Sequence, residues 1–120
     1  DGEFTVVSDS GEFVFNNSSL KVRSNNIPEF FSLYQNFPNP FNPITTIEYD
    51  IPKNVMVDIN VYDMKGRFVK NILKSFQTSG HKSIQWNATN YQDESVSGGM
   101  YLYTIQAGEF RQTKRMLLLK

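Results

Sequence analysis

From Val55 to Tyr62 the chain alternates strictly, with Val55, Val57, Ile59 and Val61 on one parity and Met56, Asp58, Asn60 and Tyr62 on the other. A period of two residues is that of a half-buried β-strand, so the valines and the isoleucine are expected to face inward. The run stops at Asp63-Met64-Lys65-Gly66. These four residues predict a turn with glycine at a positive φ, followed by a return strand from Arg67 to about Leu73. Upstream, Thr45 to Tyr49 is short, β-branched and closed by Ile51-Pro52, which predicts another strand. Downstream, His81 to Trp86 places Ile84 and Trp86 on one face. Asn87 to Gly98, rich in Asn, Ser, Asp and Gly, predicts a long loop. Gly99 to Gln106 and Glu109 to Leu119 then form a final hairpin about Ala107-Gly108. No 3.6-residue apolar pattern persists anywhere. Short strands at this spacing predict an all-β, immunoglobulin-like antiparallel sandwich of about seven strands.

Two stretches break the pattern. Phe37-Pro38-Asn39-Pro40-Phe41-Asn42-Pro43 holds three of the five prolines in the chain. Proline fixes φ, lacks an N–H and biases the preceding residue away from helix, so neither a helix nor a central strand can cross this segment. A stiff, polyproline-like lead-in to the sandwich is expected, with both phenylalanines against something apolar. The second is Lys114-Arg115-Met116-Leu117-Leu118-Leu119-Lys120, an unbroken apolar run clamped by bases. It fits a closing strand buried on both faces. The sharper alternative, ranked behind it, is a strand presented to a partner that pairs with its edge or grips its side chains.

The first 28 residues differ in texture. Gly2-Glu3-Phe4 and Gly11-Glu12-Phe13 open short apolar runs, which suggests a small hairpin about Ser8-Asp9-Ser10. The same triplet at 108–110 is too short to be a repeat. Arg23 to Glu29 has a linker's composition. The expected organisation is therefore a preceding region plus linker over 1–28 and a main domain over 29–120. The start at Asp1, without methionine, suggests a piece of a longer protein.

Charge and composition narrow the chemistry. Twelve basic residues balance twelve acidic ones, which gives no support for nucleic-acid binding. Residues 1–29 carry five acids against two bases, whereas 30–120 carry ten bases against seven acids. The absence of cysteine excludes a disulfide scaffold and thiolate metal sites. No apolar run nears the ~20 residues that span a bilayer, so no membrane insertion of its own is expected.

Candidate chemistry is sparse. His81 is the only histidine and is expected to be an exposed strand-end residue. Glu48 and Asp50 share a face, most simply a solvated one. Asp93-Glu94 with Asn87 and Asn90 could offer oxygen ligands to calcium, though the spacing is not that of an EF-hand. Ser97-Gly98-Gly99 suits a tight strand entry. Tyr101 and Tyr103 near Phe110 could form an aromatic platform for sugars; cross-strand packing explains them as well. No cofactor is expected.

Five ordered segments, LYQNFPNPFNPITTIEYDIP, VDINVYDMKGRFVKNIL, GHKSIQW, SGGMYLYTIQAG and KRMLLLK, together resemble the type A C-terminal sorting domain of the type IX secretion system, from about Phe31 to Lys120. The middle segments also resemble the immunoglobulin-like domain of flagellar hook-capping proteins. The resemblance implies an address label without an active site, on a larger cargo of the Bacteroidetes that passes through the periplasm to the cell surface or medium. It implies as partners an outer-membrane translocon, an associated sorting peptidase and an N-terminal cargo domain, with cutting between about Arg23 and Phe31 and frequent attachment of the cargo to lipopolysaccharide. Carried onto this sequence, the recognition residues are Gly98, Gly99, Tyr101, Lys114, Arg115, Met116, Leu117, Leu118, Leu119 and Lys120. The motif residues of the framework are Asn36, Phe37, Pro38, Asn39, Pro40, Phe41, Asn42, Pro43, Tyr62, Asp63, Gly66, Arg67 and Trp86.

Two departures stand out. Trp86-Asn87-Ala88 replaces the usual Trp-Asp-Gly, putting the loop turn in question, and the doubled glycine before Met100 suggests a bulge at the strand entry. Residues 1–22 fall outside the resemblance; the last strands of a cargo domain are preferred over a strand pairing with the sorting domain. The competing function is a carbohydrate-binding or adhesive sandwich using Trp86, Tyr101 and Tyr103. An enzyme ranks third, since no nucleophile constellation accompanies the lone histidine.

Overall fold

A computed structural model of the chain describes residues 27–120. The suggested hairpin near residue 9, and residues 1–26 generally, lie outside the described residues. Seven strands are present: β1 (Ser32–Leu33), β2 (Thr45–Ile51), β3 (Val55–Asp63), β4 (Phe68–Gln77), β5 (Gly80–Trp86), β6 (Gly99–Ala107) and β7 (Phe110–Leu118). They form two antiparallel sheets, β1-β2-β5 and β4-β3-β6-β7. The all-β sandwich expected from the alternating pattern is the fold observed.

Alternation decides which side chains meet between the sheets. Val57, Ile59 and Val61 of β3, Tyr101, Tyr103 and Ile105 of β6, and Met116 and Leu118 of β7 face Ile47, Tyr49 and Ile51 of β2 and Trp86 of β5, all buried. Each such side chain contributes about 1.5–3 kcal/mol by leaving water. Together they are the core.

Gly66 takes φ 82° in the β3–β4 turn, the conformation that needs no Cβ. The return strand β4 runs to Gln77, four residues past the expected end, because it pairs with β3 back to Val55. The register shifts at Ile59/Asn60 and Val61/Tyr62 fall between Phe68 and Leu73 on β4. Beyond Leu73 the inward parity passes to Ser75 and Gln77 and the outward one to exposed Phe76, so the apolar alternation ends before the strand does. Conversely, β6 pairs with β7 in unbroken register from Gly99↔Leu118 to Ala107↔Phe110, so the bulge suggested at the doubled glycine is absent.

β7 is the outer strand of its sheet. Its burial alternates, with Met116 and Leu118 inward and Arg115 and Leu117 on the other side. The expectation of a strand buried on both faces is thus corrected. A second layer covers only one side of an antiparallel sheet here, so even an unbroken apolar run is split by the pleat.

Candidate functional site

The proline-rich segment and the end of β7 meet along one seam. The segment is a succession of bends held by two isolated bridges, Phe37↔Thr46 and Phe41↔Leu118, instead of the extended polyproline rod expected. The reason lies in its unlike ends, because Phe37 pairs with β2 in one sheet while Phe41 pairs beside β7 in the other. Phe41 is buried against Trp86, ring centroids 5.9 Å apart. Phe37 is 77% exposed, so only one of the two phenylalanines lies in apolar surroundings.

This strap supplies the hydrogen bonds that the edge of β7 lacks. Phe41 N–H donates to Leu117 O (3.0 Å), and Leu119 N–H donates to Phe41 O (2.9 Å). Leu117 N–H donates to Asn39 Oδ1 at 2.9 Å, and Gln35 Nε2 donates to Arg115 O at 2.7 Å. An uncovered edge strand invites pairing with other chains. Here its last residues are covered by the strap.

Asn36 anchors the strap from inside. Its backbone N–H donates to Tyr103 Oη (2.8 Å), and its Nδ2 donates to Thr45 Oγ1 (2.9 Å) and Pro38 O (3.2 Å). Tyr103 Oη in turn donates to Tyr34 O at 2.7 Å. Burial pushes the Tyr103 hydroxyl up to about 12, the Asn36 N–H pulling the other way. With Asn36 and Thr45 both buried, each polar atom needs such a partner.

The remaining motif residues gather at the same end of the sandwich. Trp86 Nε1 donates to Thr89 O (2.9 Å) and its ring meets Tyr101 edge-on at 5.5 Å. Tyr101 Oη donates to Ser97 O at 2.6 Å. Ala88 occupies φ 61°, so the loop turn persists despite the missing glycine. Asp63 Oδ1 accepts the N–H groups of Lys65 and Arg67, both at 2.9 Å, and Oδ2 accepts Arg67 Nε at 2.7 Å. The Arg67 backbone N–H foremost, with its guanidinium and the Lys65 N–H, holds the Asp63 carboxyl below the usual range. Asp63, Gly66 and Arg67 are therefore a turn lock, with Tyr62 paired to Phe68 beside it.

Among the expected recognition residues, Tyr101, Met116 and Leu118 are core, Lys114 and Leu117 are half-buried, and Arg115, Leu119 and Lys120 are exposed. Gly98 packs under the chain end: a Cβ there would lie 3.2 Å from Leu118 O and 3.3 Å from Lys120 Cβ. Gly99 has φ 148°, again a conformation that disfavours side chains. Gln35, Asn39, Pro40, Met100, Arg115 and Leu117 border an open hollow of about 410 Å³. Gln35 and Met100 were not among the expected recognition residues. Met100 is legible in the sequence, since it lies two positions from Leu102 on the outward parity of β6.

Elsewhere the expected chemistry dissolves into structure. Trp86, Tyr101 and Tyr103 are 1%, 6% and 0% exposed, so the sugar platform built on them is ruled out. His81, exposed as expected, also lies between two carboxylates, with Nδ1 2.5 Å from Asp50 Oδ1 and Nε2 3.3 Å from Glu48 Oε1. The Tyr34 hydroxyl donates to Asp50 Oδ2. The hydrogen bond to Asp50 foremost, then the charges of Asp50 and Glu48, raise the His81 pKa. Asp93 Oδ1 pairs with Lys70 Nζ at 2.8 Å, and no group of three acidic, His or Cys side chains suited to a metal occurs among the described residues. No helix among them is long and apolar enough to cross a membrane.

The sequence pattern of the family described as "Secretion system C-terminal sorting domain" matches residues 35–119, from the strap through the end of β7. The chain belongs to this family. A domain of this kind is a sorting signal of the type IX secretion system. Among curated proteins none matches this chain.

Among solved structures, it is similar to dimeric latent PorU of Porphyromonas gingivalis, at 22% identity and TM-score 0.59, over 71% of this chain and 9% of that one. It also resembles PorZ of the same organism, an essential bacterial surface component of the type-IX secretion system, at 18% identity and TM-score 0.50, over 75% and 11%. FlgD of P. aeruginosa gives 17% identity and TM-score 0.50, over 78% and 73%. These likenesses support the sandwich fold, and the chain spans only about a tenth of the first two proteins.

Proposed function

We propose that the type IX machinery reads this sorting domain at the seam between the strap and β7. The exposed residues Arg115, Leu119 and Lys120, with half-buried Leu117, make the contact, and Lys114, on the inward parity of β7, flanks it. Gly98 and Gly99 let the chain end lie close, and Tyr101, Met116 and Leu118 hold it from the core. The observation that carries this reading is that the alternation of β7 leaves Leu117 and Leu119 on the outward parity, while the strap satisfies the backbone edge beside them. Side chains, not a bare edge, are what a partner meets first.

The partners on this reading are an outer-membrane translocon and a sorting peptidase, met after transit through the periplasm. Residues 1–28 are the end of a cargo region plus linker, with cutting between about Arg23 and Phe31. The domain carries out no reaction: its histidine faces carboxylates in an exposed cross-strand cluster, and its buried hydroxyls serve packing. Insertion into a bilayer and nucleic-acid binding play no part. To test this, the 120-residue chain is fused behind a periplasmic reporter in a bacterium with a type IX system. Delivery of the reporter to the surface or medium is expected. A reporter that stays in the periplasm contradicts the proposal.

A further inference from the structure

The outward face of the β4-β3-β6-β7 sheet is polar in its middle ranks and apolar at the end nearest Leu118. Outward pairing is Asn60↔Thr104↔Thr113 in the middle. Toward the end it becomes Phe68↔Tyr62↔Leu102↔Arg115, with Met100↔Leu117 beside it. Phe68 is 47% exposed and Met100 37%, while Tyr62, Leu102 and Leu117 are half-buried. An antiparallel sheet covered on one side ordinarily turns polar residues outward. A contiguous apolar stripe across four strands marks an interaction surface.

We infer that docking continues from the β7 end across this stripe to Leu102, Tyr62 and Phe68, and that the occupant there is a protein surface with apolar side chains and a carboxylate to meet Arg115. The inference extends the proposed recognition of the β7 end and rests on it. Charge selects the occupant. Arg115 stands exposed in the stripe opposite Leu102, whereas Arg67 at its margin is already paired with Asp63 at 2.7 Å, so Arg115 is the cation the stripe presents to a carboxylate. Tyr62, Leu102 and Leu117 lie half-buried along the pleat and do not protrude, and the stripe is four strands wide, about 14–19 Å by ordinary strand spacing. A partner's ridge fits that width.

The test uses the reporter fusion with Leu102→Glu, and separately Met100→Asp, whose exposed side chain leaves the core untouched. Export is expected to fall about tenfold for each, and Arg115→Glu to lower it similarly, as for a central contact in an interface. Thr113→Glu, in the polar rank, leaves export unchanged. Thermal melting of the purified chains shows whether Leu102→Glu still folds; if it does not, Met100→Asp decides alone. Normal export of Met100→Asp, in a strain where Leu119→Asp, outside the stripe, blocks export, overturns the stripe and spares the seam. Normal export of both overturns the seam as well. Sedimentation with phosphatidylglycerol-rich vesicles, or concentration-dependent dimerisation by ultracentrifugation, that is lost in Met100→Asp assigns the stripe to lipid or to a second copy and overturns the proposed occupant.

Discussion

Asn36 shows how much one side chain inside the strap can hold. Its amide joins Thr45 and Pro38 while its backbone reaches Tyr103, so Asn36→Ala strands buried partners and should cost about 1–3 kcal/mol. Urea unfolding monitored by Trp86 fluorescence reads this directly. Ala88 presents the opposite case, an alanine at φ 61° where left-handed backbone penalises a Cβ. Ala88→Gly relieves that penalty but removes a buried methyl worth about 0.8 kcal/mol, so the two should nearly cancel and leave stability within about 0.5 kcal/mol of wild type in the same assay. His81 adds a pH dependence. Its folded pKa is raised by Asp50 and Glu48, so its contribution is fully present below the unfolded value of about 6.5 and is lost as pH rises through the folded value. The urea midpoint should therefore fall slightly across that rise in wild type and stay flat there in His81→Gln. The effect is small because the ring is more than half exposed.

Among the elements, β7 and the strap depend on each other. The Leu117 amide is held by the Asn39 side chain and the Leu119 amide by the Phe41 carbonyl. Asn39→Ala should speed hydrogen exchange at Leu117 and leave Leu119 protected, a selective effect that amide-resolved NMR can resolve. Equal loss at both amides would mean that the whole strap had come away. Local patterns in the sequence found most strands because Val57, Ile59 and Val61 alternate cleanly and Gly66 marks its turn. They missed the end of β4, where polar Ser75 and Gln77 take the inward parity opposite Val57 and Val55. They also misjudged the strap, because proline chemistry forbids regular structure without saying where a chain bends, and Phe37 and Phe41 look alike in one dimension.

At the scale of the molecule, the sandwich sorts residues that look equivalent in the sequence. Met116, Leu117, Leu118 and Leu119 are consecutive and apolar, yet the second sheet covers only Met116 and Leu118. The candidate seam was half legible: the apolar, basic end of the chain named the strand, but its outward members emerge only once the pairing Met100↔Leu117 sets the faces. Tyr101 and Tyr103 show the reverse, aromatic residues that suggest a binding platform and instead fill the core. The central claim is that recognition lies in the outward side chains of the β7 end. Its most direct measurement is the exported fraction of the reporter fused to Leu117→Asp/Leu119→Asp, alongside its urea midpoint. The account predicts a folded domain whose cargo stays in the periplasm; a folded domain exported as efficiently as wild type contradicts it.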